Sequence, residues 1–248
     1  MLKTLVFNGW AAGDEPWDLC TFEHDWVFNY VEQLDGLPER IIADSDEVLL
    51  VGFSMGGSTA LRMLLRFPEK VKGLVLISAT PCMMEKKESE GEVWKGMSER
   101  RLAALKLGTE MMFNGDPSPM YDPVNMNRGL DYLRATDLRH ELLAYGRARV
   151  PSRAGEAGRA RVPSRAGEAG RARVPSRAAE GLPGRAAIPV AIFQSERDGI
   201  VRPANAEFLK RVFPQASVTY VPGNEHVLPV TIPELIDKAV EEIIGIIE

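Results

Sequence analysis

Cysteine, histidine and long apolar runs are all scarce in this chain of 248 residues. Two cysteines, Cys20 and Cys82, cannot build a disulfide framework, and so few point to a reducing compartment. No apolar run approaches the roughly 20 residues that span a bilayer. The first apolar stretch, Leu5-Val6-Phe7, is too short for the core of a signal peptide and runs straight into Asn8-Gly9. The expectation is a cytoplasmic protein that does not bind membranes. Metal-ligand spacings and glycine-rich phosphate loops are absent from the sequence, so neither a metal nor a cofactor is expected. What is present is ordinary: 45% apolar and 26% charged residues exclude a disordered chain, a collagen or a coiled coil as the whole. The length suits one large α/β domain carrying an insertion.

The net charge of −5 conceals an internal division. Residues 146–157 read GRARVPSRAGEA, residues 158–169 repeat this unchanged, and residues 170–181 read GRARVPSRAAEG. These 36 residues hold nine Arg and three Glu, a charge of +6, which leaves the other 212 residues at −11. Each copy carries Gly, Pro and little apolar area, too little to offset the entropy of ordering. Its period matches no common solenoid. The repeat is therefore expected to be a flexible loop made by tandem duplication. An arginine-rich docking surface for an acidic partner is the functional alternative. Nucleic-acid binding is disfavoured, because the repeat has no aromatic residue to stack a base.

Elsewhere strands and helices alternate. Lys3–Phe7, Trp26–Val31, Glu47–Phe53, Gly73–Ser78, Val190–Gln194 and Ser217–Val221 read as strands, several of them continuous apolar runs suited to burial on both faces. Helical patterns cover Ser58–Phe67, Pro203–Val212 and Ile232–Ile246. This order predicts a mostly parallel sheet with right-handed crossovers. The stretch 82–187 shows no convincing strand and has helical candidates at Glu92–Leu107 and Met126–Tyr145. The predicted organisation is an α/β core at 1–81 and 188–248, a helical cap at 82–145, and the repeat at 146–181.

The chemistry enters at Gly52-Phe53-Ser54-Met55-Gly56, a G-x-S-x-G set between an apolar strand and a helix. That context raises a serine hydroxyl above the sheet on a sharp turn, where small residues are needed because strand and helix backbones come close. Such a serine needs a base, and the base an orienting acid. The chain has three histidines; His24 and His140 precede the acid candidates, and His226 alone follows the last strand. Asp198, at the turn before Gly199 and 28 residues ahead of His226, is the favoured acid, with Glu196 its nearest competitor. The expected oxyanion donors are the backbone N–H groups of Met55 and Trp10, with Gly9 letting the loop approach closely. The Trp10 ring also reads as an anchor for that loop. Neither cysteine occupies an elbow, which argues against cysteine catalysis.

With those residues in view the sequence resembles the α/β-hydrolase carboxylesterases that act as pimeloyl-[acyl-carrier-protein] methyl ester esterases in biotin synthesis. The likeness rests on Phe7-Asn8-Gly9-Trp10, the elbow, Ser195–Val201, and the cap segments Ala104–Glu110 and Gly129–Arg139. It departs from the family in having Asn8 where most relatives have His, and in a short stretch from Trp10 to Ser54. The sheet is also expected to lack the family's N-terminal strands. The resemblance implies a serine carboxylesterase acting through an acyl-enzyme on a small ester carried by an acidic acyl carrier protein. Arg100, Arg101 and Lys106 are then the docking candidates, and a monomer is expected. Two alternatives stay open at this point. One is a general short-chain carboxylesterase, thioesterase or carbon–carbon hydrolase or lyase of the same fold. The other is a non-catalytic ligand-binding protein built on it.

Overall fold

The computed structural model describes residues 1–87, 93–94, 96–149 and 187–248. The chain opens with β1 (Leu2–Phe7), β2 (Trp26–Phe28), α1 (Tyr30–Leu34) and α2 (Leu37–Asp44). It continues through β3 (Glu47–Phe53), α3 (Met55–Arg66) and β4 (Val71–Ile77). Then come the short strands β5 (Lys86–Lys87) and β6 (Val93–Trp94), followed by α4 (Glu99–Met112), α5 (Pro123–Ala135) and α6 (Arg139–Arg149). The described chain resumes with β7 (Val190–Ser195), α7 (Ala204–Val212), β8 (Ser217–Val221), α8 (Leu228–Thr231) and α9 (Pro233–Ile247).

Six strands form one sheet in the order β2-β1-β3-β4-β7-β8, every neighbouring pair parallel. Strands β3 and β4 lie near the middle and are buried along nearly their whole length, which explains their unbroken apolar runs. One face packs Leu61 and Leu64 of α3, Leu142 of α6, and Phe208 and Leu209 of α7 against Leu50, Leu74 and Ile192. The other face takes Ile236, Val240 and Ile243, spaced one turn apart along α9, together with Trp17 and Phe22, against Val51, Val75 and Phe193. Each fully buried Leu, Ile or Val stabilises the fold by about 1.5–3 kcal/mol relative to exposure. A third cluster joins Met55 and Tyr30 to Met83, Met84, Met97, Leu102, Leu130 and Leu133, and so ties the elbow helix to the segment between β4 and β7.

The α/β alternation read from the sequence is present, with corrections. The second strand ends at Phe28, short of the predicted Val31, because Asn29 caps α1. Its side chain accepts from Val31 N–H and Glu32 N–H, and Glu32 reaches back to Asn29 N–H. The stretch expected to lack strands holds the β5–β6 antiparallel pair. The helix expected at Met126–Tyr145 is two helices, broken at Thr136–Leu138. There Thr136 Oγ1 donates to the Tyr132 carbonyl and Asp137 bridges Cys82. The first four repeat residues, Gly146–Arg149, continue α6 as helix, contrary to the loop expected from residue 146. The remainder of the repeat, 150–181, lies outside the described residues. Among the described residues no helix is long and apolar enough to cross a membrane.

Candidate active site at the carboxyl ends of the strands

Ser54 sits between the end of β3 and the first residue of α3. Its backbone is at φ 55°, ψ −117°, a left-handed conformation that costs a residue with a side chain on the order of 1–3 kcal/mol. The surroundings hold it there: Ser54 N–H donates to the Ile77 carbonyl at 2.9 Å, and the Ser54 carbonyl accepts from Gly57 N–H at 3.0 Å. The turn is possible because its flanks carry no side chains. A Cβ on Gly52 would stand 2.7 Å from the Gly56 carbonyl oxygen and from Gly57 Cα, and one on Gly56 would collide with the Phe7 carbonyl.

The structure brings Ser54, His226 and Asp198 together. His226 Nε2 lies 2.9 Å from Ser54 Oγ, and His226 Nδ1 lies 2.8 Å from Asp198 Oδ2. Three separate segments supply these groups, all at the carboxyl ends of parallel strands, where ligands of open α/β sheets bind. The Asp198 side chain is fully buried. Its Oδ1 accepts from Ile200 N–H at 2.7 Å and Val201 N–H at 3.0 Å, and its Oδ2 accepts from Gln194 Nε2 at 3.5 Å as well as facing the imidazole. A buried carboxylate so satisfied is fixed in place and stays an acceptor. It directs the proton of His226 to Nδ1, which leaves Nε2 free to accept from Ser54. Glu196, the competing acid, is exposed to solvent, and it is Asp198 that faces His226 Nδ1.

His226 is positioned from several sides. Its carbonyl accepts from Ser78 Oγ at 3.1 Å, Ser195 Oγ donates to the carbonyl of the preceding Glu225, and the Phe53 ring packs 5.2 Å from the imidazole. Sequence reasoning did not single out Ser78, Gln194 or Phe53. A signal existed for the first two: each is polar at the carboxyl end of an apolar strand run, where a buried hydroxyl or amide must find a partner.

The loop after β1 passes directly beside Ser54. A Cβ on Gly9 would stand 3.3 Å from Ser54 Cβ and 3.1 Å from the Phe53 ring, so only glycine fits without displacement. Met55 opens α3, where first-turn N–H groups lack intrahelical acceptors and the helix dipole favours negative charge. Trp10 follows Gly9, and its indole Nε1 donates to the Met126 carbonyl of α5 at 3.2 Å. Asn8, buried, takes a hydrogen bond from Trp17 Nε1, offers its amide to Asp14 at 3.4 Å, and has its carbonyl bound by Gln33 at 2.9 Å. The loop is thus braced below by Asn8 and above by Trp10.

The three basic residues singled out on α4 part ways. Arg101 Nη2 donates to the Gly199 carbonyl at 2.6 Å, next to Asp198; Lys106 pairs with Glu110 at 3.3 Å; Arg100 is exposed. Helix α5 is fastened to the elbow helix through Tyr132, whose hydroxyl lies 3.1 Å from Thr59 Oγ1 and whose ring lies under the Arg62 guanidinium at 4.5 Å. Burial holds the Tyr132 hydroxyl above the usual phenol range, so it stays protonated.

Comparison with known proteins agrees with this fold. Residues 7–103 match a family model described as alpha/beta hydrolase fold. The chain is 29% identical over 182 residues to a pimeloyl-[acyl-carrier protein] methyl ester esterase of Citrobacter koseri, covering 56% of this chain and 69% of that protein. It is 24% identical over 177 residues to the protein of that name from Klebsiella pneumoniae, with the same coverage. A match of 34% over 90 residues to the Shewanella woodyi protein of that name takes in 36% of this chain and 29% of that one. The chain thus spans less than a third of one such relative and a little over two thirds of the others. Among solved structures, a hydrolase from Oleispira antarctica superposes with a TM-score of 0.62 at 14% identity, covering 99% of this chain and 91% of that one. A hydrolase from Pseudomonas aeruginosa gives 0.58 at 14%, covering 98% and 90%. These likenesses establish the fold.

Proposed function

We propose that this chain, which has the α/β-hydrolase fold, is a serine carboxylesterase that hydrolyses the methyl ester of a carrier-bound pimeloyl chain. The observation that carries the reading is the continuous chain of hydrogen bonds from Ser54 Oγ through His226 to buried Asp198. A binding protein would have no use for all three. The substrate is suggested by the relatives named pimeloyl-[acyl-carrier protein] methyl ester esterase and by the resemblance read from the sequence at the elbow and at Ala104–Glu110 and Gly129–Arg139.

In the first half-reaction Ser54 Oγ attacks the ester carbonyl as His226 Nε2 takes the hydroxyl proton. Negative charge develops on the former carbonyl oxygen. The backbone N–H groups of Met55 and Trp10 receive it, and the amino end of α3 adds its dipole. The tetrahedral species collapses, methoxide leaves, and the imidazolium returns its proton to give methanol and the acyl-enzyme. Water then attacks the acyl-enzyme with His226 as base, and Ser54 is released with a free carboxylate product. Asp198 holds the imidazole through its Nδ1 and stabilises the imidazolium. No step needs a cofactor.

In this reading α4, α5 and α6 act as a cap that admits the distal ester and keeps the carrier thioester away from Ser54. Arg100 on the exposed side of α4 meets the acidic carrier, while Arg101 and Lys106, already engaged within the chain, contribute less. The protein works as a monomer in the cytoplasm.

The test is rescue of a biotin-requiring host that lacks its own methyl ester esterase. Wild type should restore growth and Ser54→Ala should not. Failure of an expressed, soluble wild-type protein to rescue would redirect the reading to a general short-chain carboxylesterase. Failure of a serine-directed fluorophosphonate to label Ser54 would refute the catalytic reading altogether.

A further inference from the structure

At the opposite end of the sheet from Ser54 lies a cavity of about 200 Å³ between α6, α7 and the amino ends of β7 and β8. The six residues of β7 separate it from Asp198 by roughly 20 Å, at about 3.3 Å per residue. Ile188, Val212, Phe213 and Ala216 give it apolar walls. Apolar cavities of about 150 Å³ admit a benzene-sized molecule, so this one holds a single ring or a short branched chain. Three polar side chains line it: Tyr145 and Arg149, and Gln215, which is exposed at the rim. The Tyr145 hydroxyl and Arg149 Nη1 are both buried, and among the described residues neither has a hydrogen-bond partner. Buried donors are almost always satisfied, and one that is not calls for a ligand or another explanation.

The geometry explains why these two atoms act together. The Arg149 guanidinium lies over the Tyr145 ring, 4.5 Å from its centre, and is steadied by Nη2 donating to the Pro68 carbonyl at 3.4 Å. Tyr145 is in turn packed edge-to-face on Phe213 at 6.2 Å. Burial pushes the Tyr145 hydroxyl up to about 12, so near neutral pH it is a donor. The lining holds one cation and no carboxylate among the described residues, within a chain whose net charge is −5.

We propose that this cavity is a binding site for a small carboxylate with a compact apolar body, its oxygens received by the Tyr145 hydroxyl and the Arg149 guanidinium. A carboxylate supplies acceptors for both donors and a counter-charge for the guanidinium, while its apolar part fills the space walled by Ile188, Val212 and Phe213. A neutral isostere supplies neither charge nor enough acceptors. The site owes nothing to Ser54 chemistry, and its occupancy stiffens the packing of α6 on α7.

The full-length protein with 4-fluorobenzoate as probe tests this, with binding followed by fluorine line broadening in solution. Wild type should bind the acid, and 4-fluorobenzyl alcohol should bind at least about tenfold more weakly, as expected when a charge-assisted hydrogen bond is lost. Arg149→Gln should weaken the acid about tenfold or more with rates of ester hydrolysis unchanged. Tyr145→Phe keeps the ring contacts and should weaken it by a factor of about three to ten. A cooperative melt recorded for each variant establishes that it is folded, and Tyr145→Phe carries the test if Arg149→Gln does not fold. The proposal is overturned if wild type does not bind the acid at millimolar concentration. It is equally overturned if the alcohol binds as well as the acid, or if the folded variants bind like wild type.

Discussion

Replacing Asp198 by asparagine tests the site at its most determined point. An asparagine amide has one oxygen and one nitrogen, and the structure dictates which goes where. The Oδ1 position faces two N–H donors, Ile200 at 2.7 Å and Val201 at 3.0 Å, so the amide oxygen must occupy it. The nitrogen is then left at the Oδ2 position, 2.8 Å from His226 Nδ1. An amide N–H there requires Nδ1 to be an acceptor, which moves the imidazole proton to Nε2. Nε2, 2.9 Å from Ser54 Oγ, can then no longer take the serine proton. The expected loss in kcat is about ten-thousand-fold, or about 5 kcal/mol of transition-state stabilisation. Backbone hydrogen bonds of the loop survive, so the melting temperature should move little. Hydrolysis of p-nitrophenyl butyrate by wild type, Asp198→Asn and Glu196→Gln reads the effect directly. Retention of more than a tenth of wild-type kcat by Asp198→Asn, or a larger loss in Glu196→Gln, would refute the reasoning.

Four further outcomes follow from the same structure. Ser54→Ala and His226→Ala should each abolish detectable turnover while keeping the circular dichroism spectrum and melting curve of wild type. Gly56→Ala places a methyl group against the Phe7 carbonyl and should cost about 1–3 kcal/mol or more in urea unfolding, with activity lost in parallel. Hydrogen bonds from Arg139, and Lys86 at 3.0 Å, hold the Asp137 carboxyl well below the ordinary carboxylate range. A carboxyl depressed on folding contributes stability above its unfolded value near 4 and loses it as pH falls toward the folded value. Asp137→Asn should therefore be less stable than wild type at pH 6, with the gap closing steadily below pH 4. Burial, and after it Asp237 and Glu234, push the Cys20 thiol up to about 12, and burial pushes Cys82 to about 11. Both should react with iodoacetamide at pH 8 far more slowly in native protein than in urea.

How much could be read from the sequence depends on the range of the interactions that set each feature. Strand β3 has the predicted bounds because a strand buried between helices must be apolar throughout; the edge strand β8 has them because Pro214 and Pro222-Gly223 bracket its run. The elbow was equally visible, since the glycines at 52 and 56 answer a clash between adjacent segments. The end of β2 was misplaced although Asn29 and Glu32 announce a capping box, because the apolar run across the junction masked it. The break between α5 and α6 was invisible: it depends on Asp137 pairing with Cys82, distant in sequence. Two-residue strands such as β5 and β6 leave no periodicity to detect. Within the site, the order of Ser54, Asp198 and His226 pointed to the three residues that the fold brings together. The brace from Trp10 to Met126 spans 116 residues and follows from no local pattern.

The left-handed backbone at Ser54 carries a consequence for how the protein fails. A strained residue keeps its conformation only while its neighbours over-determine it. Here the neighbours are the Ile77 carbonyl, the Gly57 amide and the tight seat of α3 on β1. Any loosening of the central strands lets this turn relax first, long before the sheet itself separates. On warming, ester hydrolysis should therefore decline at a lower temperature than the far-ultraviolet signal. The hydroxyl at the tip of β3 becomes a gauge of core tightness, more sensitive to slackening than the helices and strands that enforce it.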